Sequence, residues 1–366
     1  MRALLVFLSV GSLAVAGGCA ANSNDDGSGA GSTSGAPGGS ASGGAGGSGG
    51  GGAGGEAASS GIGGSIGIGG SGSGGAPAGP ALLYVHTDTT LFSADPAESP
   101  LTLAEIGDFD CVGGDGQDVS MTDLAVDAAG QVWGISKSNV YRFEVQGSTV
   151  HCAQTIPLDN PDDISFYGMA IVPPGILGAS EVLLAANSAG ELWSIAGNGA
   201  LSQRGTFGKV PADDGNGHTF QFAGKAWELS GDIVISANGG NPVGFATVRD
   251  CPDPPSANGC NEVDTLIEID VSKLVTSTTQ SVTKSVRGKV LKSSGCSDTV
   301  PGYGRIYGIA AFGGTVFGFS RGGGDGYAVE ISNQDGLGCL VQAFSGNPWS
   351  GAGITTLAPV DPPPPK

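Results

Sequence analysis

The stretch DLAVDAAGQVWGIS, residues 123–136, decides the fold. Asp123-Leu124-Ala125-Val126 is a short apolar run opened by a small polar residue, and Gly130-Gln131-Val132-Trp133-Gly134 is a second run after a tight turn. Two such runs read as neighbouring β-strands. The first run returns as Gly168-Met169-Ala170-Ile171, Gly224-Lys225-Ala226-Trp227, Gly308-Ile309-Ala310-Ala311 and Gly353-Ile354-Thr355-Thr356, at spacings of 45, 56, 84 and 45. The second returns as Gly314-Thr315-Val316-Phe317-Gly318, with Asp232-Ile233-Val234-Ile235 in the same place.

A third strand follows each second one, with apolar residues alternating against polar or small ones, the period of a half-buried strand. Its copies begin at Leu91, Val140, Leu192, Leu266 and Ala328. Fourth strands close the units, as in Leu101–Ile106, Val150–Ile156 and Leu340–Phe344. Four antiparallel strands repeated at this interval predict β-propeller blades. The unit from Leu82 lacks a first strand, and the last unit has only a first strand. Together they make one composite blade, so the expectation is an all-β, five-bladed β-propeller of four-stranded antiparallel blades, closed by its N- and C-terminal strands. The competing readings are a β-sandwich and a six-bladed ring with one degenerate unit. Asp123-Leu124-Ala125-Val126-Asp127 followed by Gly130 resembles the bacterial extracytoplasmic propellers of the NHL and two-component-regulator type, a short motif that reflects blade geometry.

The chain has 366 residues, 69 of them Gly, and a formal charge of −19. The glycines are concentrated between Gly27 and Gly79, so two compositions are joined end to end. Met1-Arg2, an apolar run from Ala3 to Ala16 and Gly17-Gly18-Cys19 have the form of a secretory signal, too short for a comfortable membrane span. Small-small-Cys resembles the lipobox of bacterial lipoproteins, although Ala16 stands where Leu is usual. The resemblance implies a signal peptide over residues 1–18 and lipidation of Cys19. Ala20 after the Cys implies the outer membrane. Residues 19–80 hold almost no large apolar side chains and predict a disordered Gly/Ser linker. Linkers of this composition look like those of myxobacterial lipoproteins. The propeller domain is expected over 81–359 and a Pro-rich tail over 360–366.

Six cysteines remain after Cys19, and an exported chain pairs them. The repeat predicts Cys111–Cys152 and Cys296–Cys339 as staples between neighbouring outer strands. Cys251–Cys260 then closes the loop CPDPPSANGC.

The long connections, 107–120, 158–166, 208–221 and 295–306 with an insertion at 239–264, fall on one face of such a ring, where binding resides. They are acidic. In DFDCVGGDGQD, the carboxylates Asp108, Asp110, Asp115 and Asp118 are candidate Ca²⁺ ligands, although Val112 breaks the EF-hand template. A solvated acidic rim is the favoured account. Around the inner mouth, Thr122, Tyr167, Lys225, Arg305, Tyr307 and Trp349 are expected to face an axial pocket for a sugar or an anionic small molecule. No His-Glu-x-x-His is present, and the negative charge disfavours nucleic acid. The expected role is non-catalytic recognition of a protein, glycan or other envelope ligand by a monomer anchored to the membrane by lipid. The alternatives are a hydrolase or lyase acting on glycans or lactones at the axial pocket, which a convergence of His218 with two carboxylates would favour, and a purely structural envelope component.

Overall fold

The computed structural model describes residues 81–361 except 114–117, 161, 252–259, 261, 276–279 and 323–324. The signal peptide, Cys19, the linker, Asp115 and most of the Pro-rich tail lie outside the described residues. The described chain is all-β, with twenty strands and two short 3-10 turns.

The strands fall into successive antiparallel fours. The first three are β1 (Leu83–His86), β2 (Thr90–Ala94) and β3 (Ala104–Phe109). Next come β4 (Asp123–Val126), β5 (Val132–Ile135), β6 (Asn139–Gln146) and β7 (Thr149–Pro157), then β8 (Phe166–Val172), β9 (Val182–Asn187), β10 (Glu191–Ile195) and β11 (Leu201–Thr206). They are followed by β12 (Trp227–Ser236), β13 (Val243–Asp250), β14 (Thr265–Ile269) and β15 (Thr283–Lys289), and by β16 (Ile306–Phe312), β17 (Thr315–Ser320), β18 (Gly326–Ser332) and β19 (Gly338–Phe344). The chain returns in β20 (Gly351–Ile354), which pairs antiparallel with β1, Leu83 opposite Ile354 and His86 opposite Gly351. The two incomplete ends therefore make one four-stranded unit, as their unequal strand counts predicted.

The sheets are not five separate ones. Three have four strands, but β20-β1-β2-β3 continues into β7-β6-β5-β4 to make a sheet of eight. The junction is a short parallel pairing, Asp108 opposite Thr149 and Phe109 opposite Val150. Cys111–Cys152 sits beside it and holds the two outer strands together. Cys251–Cys260 and Cys296–Cys339 are also bonded, so all three expected pairs are present.

The first strands pack side by side in a cycle: β4 on β8, β8 on β12, β12 on β16, β16 on β20 and β20 on β4. Close approach explains the recurrent glycine. A Cβ on Gly308 would meet the Ala352 backbone at 2.5 Å, and one on Gly231 would meet Tyr307 Cα at 2.2 Å.

Two units depart from the expected register. The last inner strand is Gly351–Ile354, where a strand opening at Gly353 and running through Thr356 was expected. Gly224-Lys225-Ala226-Trp227 is not an inner strand, and Asp232–Ile235 is not a second strand. Both lie along a single path into β12, ten residues long and buried throughout. A bulge between Leu229 and Ile233 carries Ser230-Gly231-Asp232 through the position where a turn was expected. Asp232 thereby takes the inner position that Asp123 holds in β4, each accepting from a backbone N–H of the next inner strand, Ile309 and Met169.

Candidate functional site

The first strands begin around a cavity of about 460 Å³. Each strand of the cycle supplies lining: Thr122 just before β4, Tyr167 in β8, Leu229 to Gly231 in β12, Tyr307 in β16 and Ser350 just before β20. At the other end of the same strands Val126, Ile171, Val234 and Ile354 leave only about 10 Å³. The cavity is therefore a pocket with an apolar stopper below it.

Two charge pairs stand in its wall. Arg321, following β17, grips Asp88 in the β1–β2 turn through both guanidinium nitrogens, Nη1 to Oδ1 at 3.0 Å and Nη2 to Oδ2 at 2.6 Å. The Ser350 hydroxyl donates to Asp88 Oδ1 at 2.6 Å. Burial pushes the Asp88 carboxyl up, but the bonds from Arg321 and Ser350 outweigh it and hold it below the usual carboxylate range. The second pair lies across the β12–β13 hairpin, where Glu228 stands opposite Arg249 in register and Arg249 Nη2 donates to Oε1 at 3.1 Å. Burial raises the Glu228 carboxyl despite this partner. Glu228 Oε2 also touches the Cys251 and Cys260 sulfurs at 2.5 and 2.8 Å. Those sulfurs are disulfide-bonded and carry no proton to donate, so Arg249 is the polar partner that orients this carboxylate.

One residue deeper on the same strands lies a buried polar layer. Asp123 and Asp232 face each other, and both are fully buried. Met169 N donates to Asp123 Oδ2, and Ile309 N donates to Asp232 Oδ2 at 2.6 Å. Burial raises both carboxyls. The like charge of Asp232 raises Asp123 further, and Asp232 is pushed up to about 8. His86, also fully buried, donates from Nδ1 to Thr87 O at 2.6 Å, and burial lowers its pKa to about 4. Asp264 accepts from Ile306 N at 2.8 Å and is raised by burial to about 6. This layer has no open side for a substrate.

Among the expected pocket residues, Thr122, Tyr167 and Tyr307 are in the wall, with Tyr167 45% exposed. Trp349 is not: it is 0% exposed, boxed edge-on by Phe92, Phe319 and Phe344. It is a core residue, because an indole one residue before Ser350 points between sheets and not along the axis. Lys225 is exposed in the loop before β12, outside the pocket, a consequence of the register difference. Arg305 is exposed at a left-handed backbone position, φ 55°, and also stands outside the lining. The cations of the site are Arg321 and Arg249.

Among the described residues, the expected calcium ligands Asp108, Asp110 and Asp118 together form no metal-ligand cluster. Asp108 accepts from Thr90 Oγ1 at 2.6 Å. Asp110 is held by His151 Nδ1 at 2.6 Å and Cys152 N at 2.9 Å. Asp118 is held by Ser136, by Asn139 Nδ2 at 2.9 Å and by Tyr141. Each carboxylate is engaged by protein donors, and Asp115 lies outside the described residues. The two clusters of ligand-type atoms among the described residues, Asp110 with Cys111 and Cys152 and Glu228 with Cys251 and Cys260, both consist of a carboxylate beside disulfide sulfurs. Disulfide sulfur is not the thiolate that a metal takes. His218 Nδ1 meets Asp214 Oδ2 at 2.8 Å, and neither residue lines the pocket.

The missed residues carry unequal signals. Glu228 and Arg249 would have emerged as an opposite-charge cross-strand pair had β12 been read in register. Asp88 and Arg321 are 233 positions apart and have no local signature.

No protein-family description matches the chain, and no curated protein does. Solved structures of similar arrangement exist. A Bacteroides fragilis protein provisionally named a 6-phosphogluconolactonase has 10% identity and a TM-score of 0.37, the match covering 77% of this chain and 99% of that one. The Dos1 propeller has 10% identity and a TM-score of 0.31 over 72% of this chain and 56% of that one. The β-propeller domain of Cps50 (Swd1) from Myceliophteria thermophila has 12% identity and a TM-score of 0.31 over 73% of this chain and 84% of that one. These are likenesses of arrangement, and no activity is carried over from them.

Proposed function

We propose that the chain is a lipid-anchored envelope protein whose domain is a five-bladed β-propeller acting as a non-catalytic recognition module. The cyclic packing of β4, β8, β12, β16 and β20 and the pairing of β1 with β20 support the five-bladed reading, with the eight-stranded sheet counted as two blades joined at their rims. The lipid anchor at Cys19 and the outer-membrane location rest on the sequence alone.

One observation favours binding over catalysis. Every charged side chain in the pocket wall is already matched, Asp88 to Arg321 and Glu228 to Arg249. A hydrolase needs a base or nucleophile poised for a substrate, and the carboxyl pair Asp123 and Asp232 is sealed in the layer below. The ligand class is a protein, a glycan or another envelope component entering from the long-loop face.

The test is incubation of the full chain with envelope glycans and with sugar lactones, following both melting temperature and product. A rise in melting temperature without product is expected. Product formed at a rate abolished by Arg321→Lys would establish the hydrolase or lyase reading instead.

A further inference from the structure

We infer that the axial pocket takes a neutral sugar ring, held through two adjacent hydroxyls by a carboxylate–guanidinium pair. This inference rests on the pocket being a binding site.

The argument begins with charge. Asp88, Glu228, Arg249 and Arg321 sum to zero, and each cation already holds an anion. An anionic ligand must displace a carboxylate that bonds Arg321 through two nitrogens, in a chain whose formal charge is −19. A cationic ligand must displace a guanidinium in the same way. Breaking one partner out of a partly buried pair leaves the other uncompensated, which is costly. A neutral ligand displaces water alone.

The chemistry of the wall then narrows the neutral class. A paired carboxylate and guanidinium present acceptors and donors side by side in one plane. A vicinal diol is the complement, because each hydroxyl both donates and accepts. One hydroxyl gives its proton to Asp88, and its neighbour accepts from Arg321. Ser350 already donates to Asp88 and orients that carboxylate. The side chains of the Asp88–Arg321 pair are 38% and 39% exposed, so free lone pairs and N–H groups remain accessible.

Placement around the mouth adds a face for the ring carbons. In the cyclic order of inner strands Tyr307, on β16, lies between the two charge pairs. Tyr167, on β8, lies on the far side of Glu228–Arg249. A sugar ring has a C–H face and a hydroxyl edge, and a partly exposed tyrosine with a polar pair nearby matches both. The volume, about 460 Å³, is within the size of small-molecule sites.

The test is a titration of the full chain, by saturation-transfer NMR, with methyl glucoside, methyl mannoside, methyl galactoside and N-acetylglucosamine. Inorganic phosphate, tetramethylammonium and cyclohexanol serve as anionic, cationic and diol-free probes. Saturable binding of at least one sugar is expected, weakened about tenfold by Arg321→Lys and by Tyr167→Ala, with melting temperatures close to wild type. Phosphate or tetramethylammonium binding with no sugar bound would overturn the sugar class and leave the pocket a binding site. Sugar binding indifferent to both substitutions would place the ligand elsewhere and overturn the inference. No binding by any probe would overturn both the inference and the reading beneath it.

Discussion

Replacing Trp349 by alanine is expected to lower the melting temperature of the full chain by about 10 °C. The indole is fully buried, with Phe92, Phe319 and Phe344 at centroid distances of 5.3, 6.3 and 5.2 Å. Phe92 belongs to the composite unit at the chain ends, whereas Phe319 and Phe344 belong to the last complete one. Trp349 is thus the wedge between the units that must meet for β20 to reach β1. Truncating a buried tryptophan costs about 3–5 kcal/mol, and the surrounding strands are too constrained to collapse into the gap. Trp349→Phe retains part of the contact and should fall between the two. Circular-dichroism melts decide the matter. A loss under about 2 °C, within the range of a surface change, would return Trp349 to the pocket wall.

Asp123→Asn is expected to raise the melting temperature at pH 8 by about 5 °C and to flatten its dependence on pH. In the folded protein Asp123 and Asp232 are raised above their unfolded values by burial, and Asp123 further by its neighbour. The native state therefore holds protons that the unfolded chain releases. The stability tied to them is fully present below the unfolded carboxylate pKa, near 3.8, and is lost as pH rises towards about 8. Asp264 adds the same trend up to about pH 6. His86 acts in the opposite sense: its pKa is lowered to about 4, so its contribution is present above 6.5 and is lost as pH falls. The interval from pH 6.5 to 8 isolates the aspartate pair. Asparagine mimics the protonated Asp123: its oxygen accepts from Met169 N, and its amide stands where the carboxyl proton is shared with Asp232. Equal slopes for wild type and variant over that interval would contradict the assignment.

The strand repeat was legible because neighbouring backbones on the axis leave no room for a Cβ, so Gly168, Gly308 and Gly353 recur where the strands meet. The disulfides were legible for a related reason: cysteines 41 and 43 residues apart occupy equivalent outer positions in successive units. β12 was not, because Leu-Ser-Gly-Asp has the composition of a tight turn, and only the approach of Tyr307 to Gly231 shows that it is a bulge in a continuous strand. That single error moved Lys225 into the pocket and hid the Glu228–Arg249 pair. Trp349 was misplaced because sequence fixes its proximity to the axis but not the direction of its side chain. The Asp88–Arg321 pair joins a turn of the first unit to a loop of the last, and only closure of the ring brings the two together.

The most direct test of a closed ring with a ligand pocket on its axis is amide hydrogen exchange of the full chain, with and without the methyl hexosides. Ligand-dependent protection is predicted at the starts of all five inner strands, around Thr122, Tyr167, Ser230, Tyr307 and Ser350. Protection confined to the outer strands, or none at saturating sugar, would contradict it.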